Sequence, residues 1–189
     1  MGEAARKPLT HAMVLAAGLG TRMRPITNTT PKPLVEVNGQ AILDRNLDHL
    51  HAHGIRDVVV NGHHLMPKME SHLSARNDEK LVFSPEPDLL DQGGGIRAAL
   101  PHLGWDDFFI LNGDAFWADA KVSTTGGGAL AALEAAWDPA RMDFLLLLAS
   151  TDRATGYDGW GDFFCHDDGQ LEFRGDTDSA PFVYTGAAI

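Results

Sequence analysis

Met13-Val14-Leu15-Ala16-Ala17-Gly18-Leu19-Gly20-Thr21-Arg22-Met23-Arg24-Pro25, with Pro31-Lys32-Pro33-Leu34 behind it, reads as a buried strand running into a phosphate-holding loop. The apolar run before Gly18 has no polar alternation, as suits a central strand covered on both faces. Gly18 and Gly20 remove two Cβ atoms where the chain must turn, so backbone N–H groups can gather around an anion. Arg22 adds a planar fork of donors matched to phosphate oxygens, and Lys32 a mobile point charge. The prolines flanking Lys32 favour an extended lysine backbone, so less entropy is lost when its side chain is aimed. The common phosphate loops fit poorly. A P-loop needs Gly-Lys-Ser/Thr, whereas Gly20 is followed by Thr21-Arg22, and a dinucleotide fingerprint needs a glycine where Met23 stands. A plain strand-to-helix turn is the alternative, and the two cations with their prolines argue against it.

Outward from this segment, helical and strand patterns alternate. Ile42, Leu43, Leu47 and Leu50 form a helical stripe over Ala41 to His53, with Gly54 as its stop. Ile55 to Val60 reads as a strand, Leu65 to Leu73 as a helix starting near Pro67, and Lys80 to Phe83 as a short strand. Helix follows over Ile96 to Leu100, strand over Phe108 to Leu111, helix over Ala129 to Trp137 and strand over Asp143 to Ala149. This order predicts a three-layer α/β sandwich around a mostly parallel, Rossmann-like sheet, with its ligand crevice beyond the strand C-termini. From Trp160 onward, Asp162 to Cys165, Gln170 to Phe173 and Pro181 to Ile189 predict a small antiparallel, substrate-side extension. Thr124-Thr125-Gly126-Gly127-Gly128 is the most flexible-looking connector, too short to mark a domain boundary.

Composition narrows the function. With 189 residues and 44% hydrophobic content, the chain is expected to form one domain. No apolar run is long enough to span a bilayer and no secretion-signal pattern opens the chain, so a cytoplasmic protein without a membrane partner is expected. One cysteine, Cys165, rules out an internal disulfide and a cysteine zinc cluster. A formal charge of −11 argues against a nucleic-acid surface, while a single nucleotide needs only a few local cations.

Two further segments carry chemistry. Phe108-Phe109-Ile110-Leu111-Asn112-Gly113-Asp114 puts a carboxylate at the mouth of an apolar strand, where a hard cation can be held beside phosphates. Asn-Gly after a strand is equally a hairpin turn. Ser84 to Ile96 is a turn-rich loop in which Gly93, Gly94 and Gly95 would let the backbone approach a flat ligand before a helix begins, an ordinary flexible loop being the alternative.

The string Leu15-Ala16-Ala17-Gly18-Leu19-Gly20-Thr21-Arg22-Met23-Arg24-Pro25 with Thr30-Pro31-Lys32-Pro33-Leu34 resembles the signature of sugar-1-phosphate nucleotidyltransferases. The resemblance implies a nucleotide-diphospho-sugar transferase type of fold. It implies that Ala17, Gly18, Gly20 and Thr21 wrap a nucleoside triphosphate, that Arg22 contacts its β- and γ-phosphates, and that Lys32 approaches the reacting phosphates. It makes Arg22, Lys32 and Asp114 the catalytic set, Asp114 a ligand of Mg2+, and Asn112 a sugar contact. It also gives base recognition to the Glu86 to Gly95 loop, with Glu86, Gly93 and Gly94 as contacts. Gly159-Trp160-Gly161-Asp162-Phe163 and Tyr184-Thr185-Gly186 resemble sugar-side segments, which makes Gly161, Asp162, Thr185 and Gly186 sugar contacts, although alone they read as ordinary turns.

Three glycines followed by Ile96-Arg97-Ala98-Ala99-Leu100 resemble the branch of the family that joins UTP to N-acetylmuramate 1-phosphate in peptidoglycan recycling. That branch has Glu-Thr where Asp91-Gln92 stand here. GTP with mannose 1-phosphate, dTTP or UTP with glucose 1-phosphate, and a regulatory subunit that binds without turnover stay open. Family members continue beyond an apolar run like Pro181 to Ile189 into a Trp-x-Asp-Val-Gly-like segment whose aspartate is a second magnesium ligand. Nothing here matches it, so the chain is expected to lack that C-terminal segment and to be a poor catalyst, with Asp152 or Asp162 as substitutes. His49, His51 and His53 are expected at a solvated helix end rather than on a metal. His63-His64 follows a strand end and is a secondary candidate for lining the crevice, and Met13 and Met23 are expected in the core.

Overall fold

A computed structural model describes residues 7–76, 78, 80–117, 128–155 and 157–189. The chain forms β1 (His11–Leu15), a hairpin of β2 (Glu36–Val37) and β3 (Gln40–Ala41), then α1 (Ile42–His53), β4 (Asp57–Gly62), α2 (Met66–Ala75) and β5 (Leu81–Pro85). It continues through α3 (Gln92–Leu103), β6 (Phe109–Asn112), α4 (Gly128–Ala136), β7 (Leu146–Ser150), β8 (Phe163–Cys165), β9 (Leu171–Phe173) and β10 (Phe182–Ala188). Single 3-10 turns at Thr21–Met23, Ile26–Asn28 and Lys32–Leu34 fill the segment after β1. Of the flexible-looking connector, Thr124 to Gly127 lie outside the described residues.

Local chemistry sets the punctuation. Gly54 ends α1 at φ 100°, sending its N–H back to the carbonyls of Leu50 and His51. Pro67 stands in the first turn of α2, where its missing N–H has no partner to lose. Asn38 and Gly39, at φ 53° and 76°, make the tight turn of the β2–β3 hairpin.

The main sheet runs β5-β4-β1-β6-β10-β8-β9, and β7 also pairs with β10. β5, β4, β1 and β6 are parallel, with Val14 opposite both Val60 and Leu111. Side-chain alternation along β1 serves two cores. Ala12 and Val14 face Leu47 and Leu50 of α1, Met69 of α2 and Leu133 of α4. Met13 faces Ala99 and Leu103 of α3. Helices on both faces make the three layers, as the alternating pattern predicts.

Several expectations need correction. The strand pattern assigns β10 to the substrate-side extension, but Ala187 and Ala188 pair antiparallel with Leu111 and Ile110, which puts the strand inside the main sheet. Its small, buried last residues suit a two-faced position, and only β8 and β9 form the outlying meander. The helix end at His49 to His53 is packed rather than solvated: His49 stacks on Trp117 with ring centroids 5.3 Å apart, and His53 Nε2 lies 2.8 Å from Glu134 Oε2 on α4. Arg76 ties α2 to α1 through Asp44 at 2.8 Å and Asp48 at 3.0 Å, and also bonds Asp78. Burial opposes its charge, but the three carboxylates outweigh that and hold the guanidinium above the usual arginine range. No helix among the described residues is long and apolar enough to cross a membrane.

Leu47 is wholly buried between α1 and the sheet. Leu47→Ala should cost about 2–5 kcal/mol of unfolding free energy, seen as a lower urea midpoint at unchanged slope.

Candidate active site

The carboxyl ends of β1, β4 and β6 and the loop after β5 enclose a cavity of about 530 Å3. It lies where β4 flanks β1 on one side and β6 on the other, the crevice position in open α/β sheets. Ala16 and Ala17 form its floor, Gly18 to Met23 one wall, Leu89 to Gln92 the facing wall, and Lys32, Asn61, Asn112 and Asp114 also line it.

The loop after β1 is braced from behind. Gly20 has φ 62°, and a Cβ there would stand 2.9 Å from Thr27 Cγ2 and 3.1 Å from Lys32 Cβ, so glycine is required by both conformation and space. Buried Thr27 donates its hydroxyl to the Gly20 carbonyl at 2.7 Å. His64 donates to the Thr27 carbonyl at 2.7 Å and Lys68 to the Thr29 carbonyl at 2.5 Å, anchoring the segment to the start of α2. A Cβ on Gly18 would touch nothing within 4 Å, so glycine there leaves room at the cavity wall rather than relieving a protein contact.

Lys32 and Asp114 meet across the mouth, Nζ to Oδ2 at 2.5 Å. The lysine backbone is not extended as its flanking prolines suggest: Lys32–Leu34 is a 3-10 turn closed by the Val35 N–H on the Lys32 carbonyl. On the β6 side, wholly buried Asn46 donates to the carbonyls of Asn112 at 3.1 Å and Ala115 at 2.8 Å, fixing the turn that carries Asp114. Asn112-Gly113 is not a hairpin turn. Gly113 donates to the Leu15 carbonyl at 2.8 Å, and a Cβ there would lie 3.0 Å from that oxygen.

The facing wall departs from expectation. Gln92 to Gly95 are the first turn of α3 rather than a free loop, because the Asp91 side chain accepts from the Gly94 N–H at 2.6 Å and caps the helix. Leu89, Leu90, Asp91 and Gln92 reach the cavity, whereas Glu86, Gly93 and Gly94 do not. Glu86 is turned inward and buried, its Oε1 accepting from Asn61 at 2.7 Å. Met23 lines the cavity rather than the core, while Met13 is fully buried as expected. His63 and His64 brace backbone carbonyls and do not line it.

The expected sugar contacts lie to the side. Gly161, at φ 74°, packs on the Ala180 carbonyl, and Asp162 Oδ2 accepts from the Tyr184 N–H at 3.0 Å. Thr185 donates its hydroxyl to the Leu147 carbonyl at 2.8 Å, and burial pushes the Tyr184 phenol up to about 12. None of the four lines the cavity, but Gly186 packs on Asn112, which does, with a Cβ position 3.0 Å from Asn112 Cβ. Asp152 accepts from the Ser150 hydroxyl, and neither Asp152 nor Asp162 lines the cavity.

The Asp114 carboxylate already accommodates a cation, the Lys32 ammonium. Among the described residues no three His, Cys, Asp or Glu side chains converge on a metal position. This donor set fits a hard divalent ion held by one carboxylate and otherwise by phosphate and water oxygens.

Residues 12–125 match the model of the MobA-like NTP transferase domain. The chain belongs to this family. It is 45% identical over 183 residues to the N-acetylmuramate alpha-1-phosphate uridylyltransferase of Caulobacter vibrioides, covering 94% of this chain and 74% of the relative. The protein of the same name from Neisseria meningitidis serogroup B is 42% identical over 106 residues, which are 54% of this chain and 46% of that one. The fold is shared with HddC from Yersinia pseudotuberculosis at a TM-score of 0.71 and 19% identity, over 95% of this chain and 76% of that one. The resemblance to sugar-1-phosphate nucleotidyltransferases is thus borne out, and the cavity contains the Gly18 to Met23 loop that carries it.

Asn61 is a cavity residue that sequence reasoning missed, while Leu90 and Gln92 lie within the Glu86 to Gly95 loop it singled out without being named there. For Asn61 a signal existed: Val58-Val59-Val60-Asn61 and Phe109-Ile110-Leu111-Asn112 are both apolar strands ending in asparagine at the cavity.

A Cβ on Gly95 would stand 2.7 Å from both Asn61 Nδ2 and Glu86 Oε1, whereas one on Gly93 meets only Asp91 Oδ1 at 3.6 Å. Gly95→Ala should therefore destabilise the protein by about 1–3 kcal/mol through overpacking. Gly93→Ala should be neutral or mildly stabilising as a helical glycine replaced by alanine. Thermal melts of the two variants make the comparison.

Proposed function

We propose that residues 1–189 act as one nucleotidyltransferase domain that moves the uridylyl group of UTP onto N-acetylmuramate 1-phosphate. The observation that carries this reading is the 45% identity, along 94% of the chain, to a protein of that activity. The cavity supports it by combining a wall that carries Gly18 and Gly20 with Arg22, Lys32 and Asp114. The product would be UDP-N-acetylmuramate, a sugar nucleotide of peptidoglycan recycling, made in the cytoplasm where UTP is available.

In this reaction an oxygen of the sugar phosphate forms a bond to the α-phosphorus of UTP. The bond from that phosphorus to the α–β bridging oxygen breaks, and its electron pair leaves with pyrophosphate. The attacking oxygen is already anionic, so no protein nucleophile or base is needed, and the chain contributes position and charge. Backbone amides of Gly18 to Thr21 and the Arg22 fork hold the triphosphate tail, while Lys32 places a positive charge at the reacting phosphates. Asn112, beside Gly186, is the proposed sugar contact nearest the cavity, with Gly161, Asp162 and Thr185 shaping that side. Magnesium, held by Asp114, would neutralise phosphate charge when bound.

Product formation from UTP, GTP, CTP and dTTP, each paired with N-acetylmuramate, mannose or glucose 1-phosphate, tests the assignment. UTP with N-acetylmuramate 1-phosphate should give the highest kcat/KM; preference for another pair, or binding without product, overturns it. Lys32→Ala should lower kcat about 100-fold or more while triphosphate affinity falls only a few-fold, because its charge counts most in the transition state. Calorimetry beside steady-state kinetics separates the two. Asp114→Asn should raise the magnesium concentration needed for half-maximal activity at least about tenfold with the melting temperature little changed, since the amide keeps volume but loses charge.

A further inference from the structure

Glu86 is 2% exposed and Asn61 3% exposed, and among the described residues no cationic side chain pairs with the Glu86 carboxylate. A buried carboxylate without a cation must be held by hydrogen-bond donors. Its Oε1 accepts from Asn61 Nδ2 at 2.7 Å and its Oε2 from the Leu90 N–H at 3.1 Å. Asn61 Oδ1 in turn accepts from the Ala16 N–H at 2.6 Å. The polarity of this chain of bonds is fixed at both ends. The backbone amides of Ala16 and Leu90 can only donate, so the asparagine oxygen must face Ala16 and its amino group must face Glu86.

Both ends line the cavity, Ala16 on the floor where the Gly18 to Met23 loop begins and Leu90 on the wall that faces that loop. The backbone of Glu86 is held as well, its N–H on the Gly62 carbonyl at 2.8 Å and its carbonyl on His63 Nδ1 at 2.8 Å. Gly95 closes the arrangement from the α3 side, leaving no room for a methyl group against either Asn61 or Glu86.

We infer that Glu86 is a positioning residue: acting through Asn61 and the Leu90 amide, its buried carboxylate sets the Leu89–Gln92 wall against the phosphate loop and so fixes the slot that receives the base of the nucleotide. This inference rests on the reading that the cavity takes a nucleoside triphosphate, and it is independent of which base is preferred. It assigns Glu86 no contact with the ligand.

The electronic requirement makes a sharp test. Glutamine at position 86 has the right size but a single acceptor oxygen, so its amino group must confront either the Asn61 amino group or the Leu90 N–H. Turning Asn61 over only moves the conflict to Ala16. Asn61→Asp combined with Glu86→Gln reverses the middle of the chain of bonds. The carboxylate then at position 61 accepts from Ala16 and from the new amide, whose oxygen accepts from Leu90, and every donor is satisfied at the same total charge.

Calorimetry on the full chain should compare the triphosphate the wild type binds best with inorganic tripolyphosphate, which engages the phosphate loop without a base. Glu86→Gln should weaken nucleoside triphosphate binding about tenfold while changing tripolyphosphate binding less than about twofold, in keeping with one unsatisfied buried donor. The double variant should return the ratio of nucleotide to tripolyphosphate affinity to within about threefold of the wild-type ratio, since the carboxylate now at cavity-lining position 61 acts on the phosphates of both ligands, a rescue that restores the polarity of the hydrogen bonds and not merely the packing. An unchanged nucleotide Kd in folded Glu86→Gln, equal losses for both ligands, or a double variant no better than the single one overturns the inference. Should Glu86→Gln alone fail to fold, the double variant decides: a wild-type ratio of the two affinities supports the inference and an altered ratio overturns it. A wild type that prefers GTP over UTP would sink the uridylyl assignment, and the same comparison would be run with GTP.

Discussion

The last peptide groups of β1 are held from both neighbouring strands, and the site depends on that grip. Leu15 gives its carbonyl to the Gly113 N–H beyond β6, and Ala16 gives its N–H to the Asn61 side chain at the end of β4. Beyond this point the neighbouring connections diverge, and the sheet opens into a crevice. Without these bonds the floor of the cavity would have two peptide groups to satisfy with water, just where the chain must turn sharply at Gly18 to Gly20. Holding Ala16 and Leu15 therefore fixes the origin of the phosphate loop, and the Thr27, His64 and Lys68 contacts set its far side.

Much of this was legible because it is local. An apolar run and two glycines specify a strand and a turn, and the arginine and proline-flanked lysine behind them both reach the cavity. Gly54 and Pro67 announce their helix boundaries through backbone conformation alone. What failed was nonlocal. β10 has the apolar look of any strand, and nothing within Phe182–Ala188 says whether it borders β6 or an outer meander; the partner strand decides. The histidines of α1 look solvated until α4 and Trp117 are laid over them.

The glycines before Ile96 show a subtler failure. Three in succession argue for an irregular backbone on propensity, since glycine is poor in helices. Here the Asp91 cap overrides that preference, and at Gly95 glycine is required because the helix lies against the buried pair of Asn61 and Glu86. The same crowding removed Glu86 from the ligand-facing surface. A carboxylate beside a suspected base site invites assignment as a contact, and only its burial and its two donors give its actual surroundings.

Electrostatically the molecule works against its own sign. A chain with a formal charge of −11 must still offer a positive site to a polyphosphate, so the relevant field is the local one. In the proposed site Lys32 and Asp114 would meet that need in a particular way. With side chains 24% and 39% exposed, the pair is hydrated enough that its net attraction is about 1 kcal/mol or less. An attraction of that size keeps both groups at the mouth and partnered, yet it is small beside charge-assisted contacts to phosphate, each roughly twice as strong as a neutral hydrogen bond. Deeper burial would make the pair costly to break, because either partner alone would then be an uncompensated charge. A shallow ion pair can be exchanged for ligand contacts, and β6, buried through Phe109 to Leu111, leaves room for one only at its ends, of which the carboxyl end opens on the cavity.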